Sequence, residues 1–410
     1  MIPDININDY TYQLPEEKIA RYPLEERDLS KLLVYKNQNI TESTFRQIGS
    51  FIPDNALFIF NNTKVIRARL HFKKESGAAI EVFCLEPIHP CEVQTAFETR
   101  GETTWKCIVG NAKKWKSGIL SKNIETLHGQ TVLTIEKGVQ LENTYEIIFR
   151  WNNPLVTFAD IIEQAGVTPI PPYLNRESEE IDTQRYQTVY SSQKGSVAAP
   201  TAGLHFTPTI LDQLRQQGHK TLELTLHVGA GTFKPVHTEE VSNHVMHTEH
   251  FVVEAKALEQ MLAHNGPFIT VGTTSVRTVE SLYWLGVKLL KGESIHNGIT
   301  QWEAYTLPQN HSLREALQEL LDHMLANQLA YFQSKTAIMI MPGYQFRVVD
   351  VLVTNFHQPH STLLLLIGAF IGEAWHEVYD YALNHEFRFL SYGDSSLLFR
   401  RQRVEELKSQ

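Results

Sequence analysis

The sequence predicts a mixed α/β large domain interrupted by an inserted small all-β barrel domain. Three observations carry this. Apolar strand-like runs alternate with amphipathic helical stretches in both terminal parts of the chain, the pattern of a layered α/β fold. From about residue 66 to 150 helical periodicity is missing, and short β-prone stretches follow one another between Gly, Lys and Asn turns, as in a small barrel or sandwich. Helical spacing then returns. Residues 1–65 and 151–410 are therefore assigned to the large domain and 66–150 to the insertion.

In chain order, "ALFIF" (56–60) reads as a buried strand ending at Asn61-Asn62-Thr63. Within the insertion, "AAIEVFCLE", "TWKCIVG", "GQTVLTIEKG" and "TYEIIFRW" read as strands. "PLVTFADIIEQAG" (154–166) has helical spacing, with Pro154 suited to the first turn and Gly166 to the position after the last. "PTILDQLRQQG" (208–218) repeats that arrangement. "TLELTLHV" (221–228) alternates, with Leu222, Leu224, Leu226 and Val228 on one face and Thr221, Glu223, Thr225 and His227 on the other. "FITVG" (268–272) and "VVDVLVTNF" (348–356) read as further buried strands. Residues 282–335 form an accessory helical element in which Ser312 and Glu315 have capping-box spacing.

The 410 residues, 42% hydrophobic and 20% charged, have the composition of a globular protein with ample core, and the length suggests about two or three domains. The longest apolar run, near Leu363–Ile371, is too short to span a bilayer, and no membrane partner is expected. The N-terminal stretch has neither a basic nor an apolar signal region, and three cysteines (Cys84, Cys91, Cys107) form no CxxC pair. A reducing, cytoplasmic setting is expected. A net charge of −9 argues against indiscriminate nucleic-acid binding but not against a local basic patch. Two patches stand out: Lys64 through Arg67, Arg69 and Lys73 to Lys74, and "WKCIVGNAKKWK" (105–116), where lysines interleave with Trp105 and Trp115. Such residues neutralise phosphates and stack bases; the plainer alternative is a solvated loop with two half-buried tryptophans.

Four loops share one design, an apolar element opening into small and hydroxyl residues with one functional side chain. They are "GSVAAPTAGLHF" (195–206), "LHVGAGTFKPV" (226–236), "VGTTSVRTVES" (271–281) and "VTNFHQPHSTLLLL" (353–366). Small residues let backbone N–H groups approach a ligand, and hydroxyls supply adaptable hydrogen bonds. Arg277 suits a carboxylate or phosphate, and Ser361-Thr362 sits where a helix N-cap belongs. "LHVGAGTF" fails as a nucleotide-binding glycine loop, because the GxGxxG spacing breaks at Lys234 and Pro235 follows. "HVMHTEH" places His244, His247 and His250 three apart but is not HExxH, so no metal is expected. No GxSxG elbow supports a hydrolase.

"FNNTKVIRARL", "PPYLNR", "YQTVYSSQKGSVAAPTAGLHF", "LHVGAGTFKPV", "HVMHTEHF", "VGTTSVRTVES", "MPGYQFRVVDVLVTNFHQPHSTLLLL" and "FRFLSYGD" follow in the order seen in the S-adenosylmethionine:tRNA ribosyltransferase-isomerases of queuosine biosynthesis, which this sequence resembles from "LPEEKIARYPLEERDLSKLL" to Asp394. It departs from the family at Arg67, where proline is frequent, and at 282–335, which has no obvious counterpart in shorter members. The resemblance implies transfer and isomerisation of the ribosyl part of S-adenosylmethionine onto 7-aminomethyl-7-deazaguanine at the wobble position of a GUN-type tRNA. The products are epoxyqueuosine-tRNA, adenine and methionine.

This reaction calls for general acids and bases and for S-adenosylmethionine as co-substrate, with no prosthetic group. His205, His227, Glu249 and Asp394 are the catalytic candidates. Thr201, Gly203, Gly229, Gly231, Thr232, Thr273, Thr274, Ser275 and Arg277 are assigned to S-adenosylmethionine, with Arg277 on its carboxylate. Asp350 or Asn355 is assigned to the deazaguanine edge, and Lys64, Arg67, Arg69, Lys113, Lys114 and Lys116 to phosphates. A monomer is expected. A hydrolase using His205, or a tRNA-binding protein without chemistry, are the rival readings.

Overall fold

The computed structural model describes residues 3–229 and 240–400, so Gly231 and Thr232 lie outside the described residues. The chain begins with β1 (Lys31–Lys36), β2 (Asn39–Thr44) and β3 (Leu57–Asn61), then enters β4 (Thr63–Val65), β5 (Arg69–Lys73), β6 (Ala79–His89), α1 (Val93–Glu98), β7 (Glu102–Gly110), β8 (Ile119–Thr126), β9 (Gly129–Leu141) and β10 (Thr144–Trp151). It returns through α2 (Phe158–Ala165), β11 (Gly166–Val167), α3 (Glu180–Arg185) and β12 (Gln193–Ser196). There follow α4 (Pro208–Gln216), β13 (Lys220–His227), β14 (Glu249–Glu254), α5 (Ala255–Leu262), β15 (Phe268–Val271), α6 (Thr273–Leu290), α7 (Glu303–Thr306) and α8 (Leu313–Ala326). The last elements are β16 (Tyr331–Thr336), β17 (Val351–Asn355), α9 (Thr362–Ile371), α10 (Ala374–Asn384) and β18 (Ser395–Phe399).

The fold is mixed α/β. Its main sheet has nine strands in the order β16-β14-β13-β3-β15-β17-β18-β1-β2, and the central run β13-β3-β15-β17 is parallel. Both faces of that centre are covered, as parallel strands require. In β3, Leu57 and Ile59 enter the core shared with α6, α8 and α9, while Phe58 and Phe60 enter the one shared with α4, the period of two sorting them. Parallel strands all point their carboxyl ends one way, and the loops leaving β13, β15 and β17 therefore open on one side of the sheet.

The insertion forms a second, antiparallel sheet of seven strands, β11-β5-β6-β7-β10-β9-β8, with its own apolar core. Its ladder has two ends, β11 and β8, so hydrogen bonding leaves it an open sheet where a closed barrel was expected. Trp105 and Trp115 are buried in that core, and the Trp115 indole donates to Gly118 O at 2.9 Å, which removes both rings from base stacking.

α2 starts later than its sequence suggested. Thr157 and Asp160 form a capping box that sets the start at Phe158, leaving Pro154 outside the helix. Gly166 is extended and opens β11, where a Cβ would lie 1.8 Å from Arg67 O. Residues 282–335 are less separate than expected. The capping box at Ser312 and Glu315 starts α8, which crosses α6 so closely that a Cβ on Gly286 would lie 1.9 Å from Ala316 O, and β16 extends the main sheet. This segment buttresses the helix whose other end opens on the site.

Candidate active site at the carboxyl ends of the central strands

Described residues of all four small-residue loops line one cavity of about 750 Å³, the second loop through Val228 alone. Ala198–Ala202 line one side, Val228 follows β13, Gly272–Thr274 follow β15, and Thr354–Gln358 with Ser361 follow β17. Small side chains leave the space open, and Gly272, at φ +88°, makes the sharp exit from β15 into α6 that L-residues resist. No side chain caps α6, so its first N–H groups are offered to the cavity beside Thr273 and Thr274. Ser361 caps α9 by accepting from Leu364 N at 3.2 Å.

Asn355 ends β17 in the cavity wall. Its amide nitrogen donates to Leu390 O at 3.0 Å and to His205 Nε2 at 3.2 Å. The Leu390 carbonyl can only accept, so the amide is oriented with nitrogen toward it, and Oδ1 is left buried without a partner among the described residues. A buried acceptor in this state costs free energy unless a ligand answers it.

His205 lies behind Asn355 and outside the cavity. Its Nδ1 meets Ser30 Oγ at 2.8 Å, and its ring packs on Phe45 at 5.0 Å. Burial, with the nearby charges of Arg388 and Arg27, pushes its pKa down to about 3, so it is neutral, accepting from Asn355 and donating to Ser30. Both ring nitrogens thus have partners within the protein.

His357, in the fourth loop but not singled out by sequence, does line the cavity. Its Nε2 meets Thr354 Oγ1 at 2.9 Å, its backbone N–H donates to Tyr379 at 3.0 Å, and the Tyr12 hydroxyl donates to its carbonyl. Burial pushes it down to about 4.

The remaining catalytic candidates sit elsewhere. Asp394 accepts from Lys31 N at 2.9 Å and Arg388 N at 2.7 Å and so anchors the 388–394 turn. His227 ends β13 beside Gly195, where a Cβ would lie 2.7 Å from its Nδ1; burial, with His250 reinforcing and Glu92 opposing, lowers it to about 4. Glu249 is fully buried in an ion pair with Arg277, and His247 Nε2 lies 3.5 Å from its other oxygen. The two residues assigned separate roles thus neutralise each other. Arg277 also donates to Ile338 O at 3.3 Å and keeps Nη2 without a partner among the described residues. They border a side cavity of about 380 Å³ that shares Thr273, Thr274 and Leu363 with the main one.

Of the other assignments, Thr201, Thr273 and Thr274 line the main cavity. Ser275 turns its hydroxyl back to Val271 O at 2.8 Å. Gly203 makes room for Tyr190, since a Cβ would lie 1.9 Å from its hydroxyl, whereas Gly229 has open space around it. Asp350 opens the loop before β17, roughly 16 Å from Asn355 at strand spacing, where it accepts from Phe268 N at 3.0 Å and pairs with Arg400 at 3.2 Å. Asp350 and Asn355 thus stand at opposite ends of β17. Arg67 and Arg69 face Glu163 at 3.8 Å and Glu81 at 3.6 Å, while Lys64, Lys113, Lys114 and Lys116 are exposed. Among the described residues no group of three or more His, Cys, Asp or Glu is placed to hold a metal ion, and no helix is long and apolar enough to cross a membrane.

A family described as "Queuosine biosynthesis protein" matches residues 7–398. The chain is 38% identical to the S-adenosylmethionine:tRNA ribosyltransferase-isomerase of Trichlorobacter lovleyi over 96% of this chain and 99% of that protein. It is 34% identical to the protein of the same name in Thermotoga petrophila, over 96% of this chain and 100% of that one. A crystal structure of the S-adenosylmethionine tRNA ribosyltransferase of Thermotoga maritima aligns over 95% of this chain and 100% of its own, with 26% identity and a TM-score of 0.45.

Proposed function

This chain belongs to the queuosine biosynthesis protein family, and from that premise we propose how its cavity works as an S-adenosylmethionine:tRNA ribosyltransferase-isomerase. The enzyme moves the ribosyl group of S-adenosylmethionine onto 7-aminomethyl-7-deazaguanine in tRNA and isomerises it to the epoxycyclopentanediol of epoxyqueuosine, releasing adenine and methionine. The observation that carries the assignment to this cavity is the convergence of four small-residue loops around the unanswered Oδ1 of Asn355.

The sulfonium acidifies the adjacent C5′ protons, the adenine leaves, and the substrate amine must be neutral to attack. His357 is neutral near pH 7 and stands in the cavity wall as the proton acceptor, a weaker base than a free imidazole because burial lowers its pKa. Asn355 Oδ1 accepts an N–H from the deazaguanine edge. The amino end of α6 and the unpaired Nη2 of Arg277 receive the methionine carboxylate, with Thr273 and Thr274 between them. The base enters from a splayed anticodon loop of a GUN-type tRNA. Residues 66–150 act as an inserted domain built on the second, open sheet, whose Lys113, Lys114 and Lys116 approach the RNA backbone. A cytoplasmic monomer suffices for all of this.

The test supplies S-adenosylmethionine with an anticodon stem-loop bearing 7-aminomethyl-7-deazaguanine, and a guanine stem-loop as control. Adenine release together with the RNA mass gain, only with the modified RNA, is the expected result. Binding without either product supports the rival RNA-binding protein without chemistry.

A further inference from the structure

Beside the main cavity lies a shallow, solvent-open pocket lined by Arg27, Arg185 and Arg388 and by no acidic residue among the described ones. The two share Ser391, and His205, whose Nε2 accepts from Asn355, stands in the wall of this second pocket. We propose that this arginine pocket binds an RNA phosphodiester next to the nucleotide whose base occupies the main cavity, an inference that rests on the function proposed above.

The arginines are arranged for an anion that the chain does not supply. Arg27 donates to Gln187 O at 3.0 Å, and Arg185 donates to the carbonyls of Leu24 and Glu25, so both are aimed by backbone oxygens and neither is neutralised by an ion pair among the described residues. Arg388 meets Asp394 at 3.3 Å. Three guanidinium charges thus stand against one carboxylate. They also repel one another, since burial and the Arg185 charge together lower the Arg27 pKa. Like charges held together at such cost are offset when an oxyanion enters, and the planar forks of arginine match a phosphate. On the outer side Arg27 and Arg185 border Glu25, Glu26 and Asp28, and Arg46 pairs with the last two at 2.5 and 2.8 Å. The carboxylate of S-adenosylmethionine is the other possible oxyanion. A phosphodiester is favoured because Thr273 and Thr274 at the amino end of α6 line the main cavity and not this pocket, while the two pockets share Ser391.

The test uses the full-length protein and reads binding, so it does not depend on turnover. Fluorescence anisotropy of the anticodon stem-loop is measured for the wild type, R27Q, R185Q and the double variant, and S-adenosylmethionine binding is measured by calorimetry. Expected are at least about tenfold weaker RNA binding for each single variant, a salt slope reduced by about 0.7 per phosphate lost, and unchanged S-adenosylmethionine affinity. A methylphosphonate walked through the loop then weakens wild-type binding at one position flanking the modified nucleotide, and the double variant is indifferent to it there. That scan uses the unaltered enzyme, so a misfolded variant does not cloud it. Unchanged RNA affinity in the variants, or no sensitive flanking position, overturns the inference while leaving adenine release intact. Loss of S-adenosylmethionine binding instead assigns the pocket to its carboxylate. Absence of adenine release in the wild type counts against the proposed function alone.

Discussion

The side-chain amide of Asn355 is held by the imidazole of His205 at 3.2 Å, so that one acceptor atom, Oδ1, remains for a ligand. His205 is a positioning residue in this arrangement. H205A frees the amide to rotate about its bond to Leu390 O, and we expect kcat/KM for the RNA to fall about tenfold with no loss of an ionisation from the pH–rate profile. H205Q, which keeps an acceptor, recovers part of that. N355A deletes the acceptor itself and lowers kcat/KM about 10- to 100-fold, the range for an unanswered buried partner. Disappearance of a titration from the H205A profile would return His205 to acid–base chemistry.

Six of the described histidines have depressed pKa values, most strongly His205 at about 3 and His227 and His357 at about 4, with His219, His250 and His264 also lowered by burial. Above the unfolded histidine value of 6.5, folded and unfolded chains are both neutral at these sites and stability does not depend on pH through them. Below it the unfolded chain takes up protons that the folded chain refuses, so stability falls as pH drops from 6.5 toward 4. Each refused proton gives a slope of about 1.4 kcal/mol per pH unit. Urea midpoints between pH 7 and 4.5 should decline steeply, and H227Q should flatten the decline. A flat profile across that interval would sink the assignment of these groups as neutral.

Gly203 and Tyr190 form a steric pair. A methyl group at 203 would meet the Tyr190 hydroxyl at 1.9 Å and its Cζ at 2.9 Å. G203A should therefore cost about 1–3 kcal/mol, the range for overpacking a filled core. Y190F removes the nearer atom and leaves the farther, so the double variant should regain part of the loss in a chemical melt. If G203A is neutral to stability but weakens S-adenosylmethionine binding, the residue faces the ligand after all.

Much of this site was legible in the sequence because its signal is local. Small and hydroxyl residues placed directly after an apolar strand mark the carboxyl ends where a parallel sheet receives ligands, and all four such loops arrive at one cavity. What could not be read was partnership across distance. Asp350 and Asn355 are near neighbours in sequence yet serve opposite ends of β17, and the choice between them depends on strand direction. His357 sits in a recognised loop, but a histidine there is distinguished from its neighbour His360 only by burial. The insertion's strands were clear from composition, whereas closure depends on whether β11 and β8 pair, which no local pattern encodes.

Glu249 and Arg277 show the same limit energetically. They lie 28 residues apart in sequence, on β14 and α6, and both are buried, so the pair joins the strand next to the edge of the main sheet to the helix that opens on the cavity. Removing one charge leaves the other stranded in a medium that solvates it poorly, at a cost of about 3–5 kcal/mol. E249Q and R277M should each lower the urea midpoint by that order, while E249L/R277M, which removes both charges, should be more stable than either single variant. The sign of the coupling is the informative quantity. Additive losses would mean that each side chain is held by other groups, Glu249 by His247 and Arg277 by the Ile338 carbonyl, and the pair would then be a neighbour relation only. The double variant should also bind S-adenosylmethionine more weakly than wild type despite its regained stability, because Arg277 Nη2 is lost from the side cavity. Stability restored without a loss of affinity would move the carboxylate of S-adenosylmethionine away from Arg277 and onto the amino end of α6 alone.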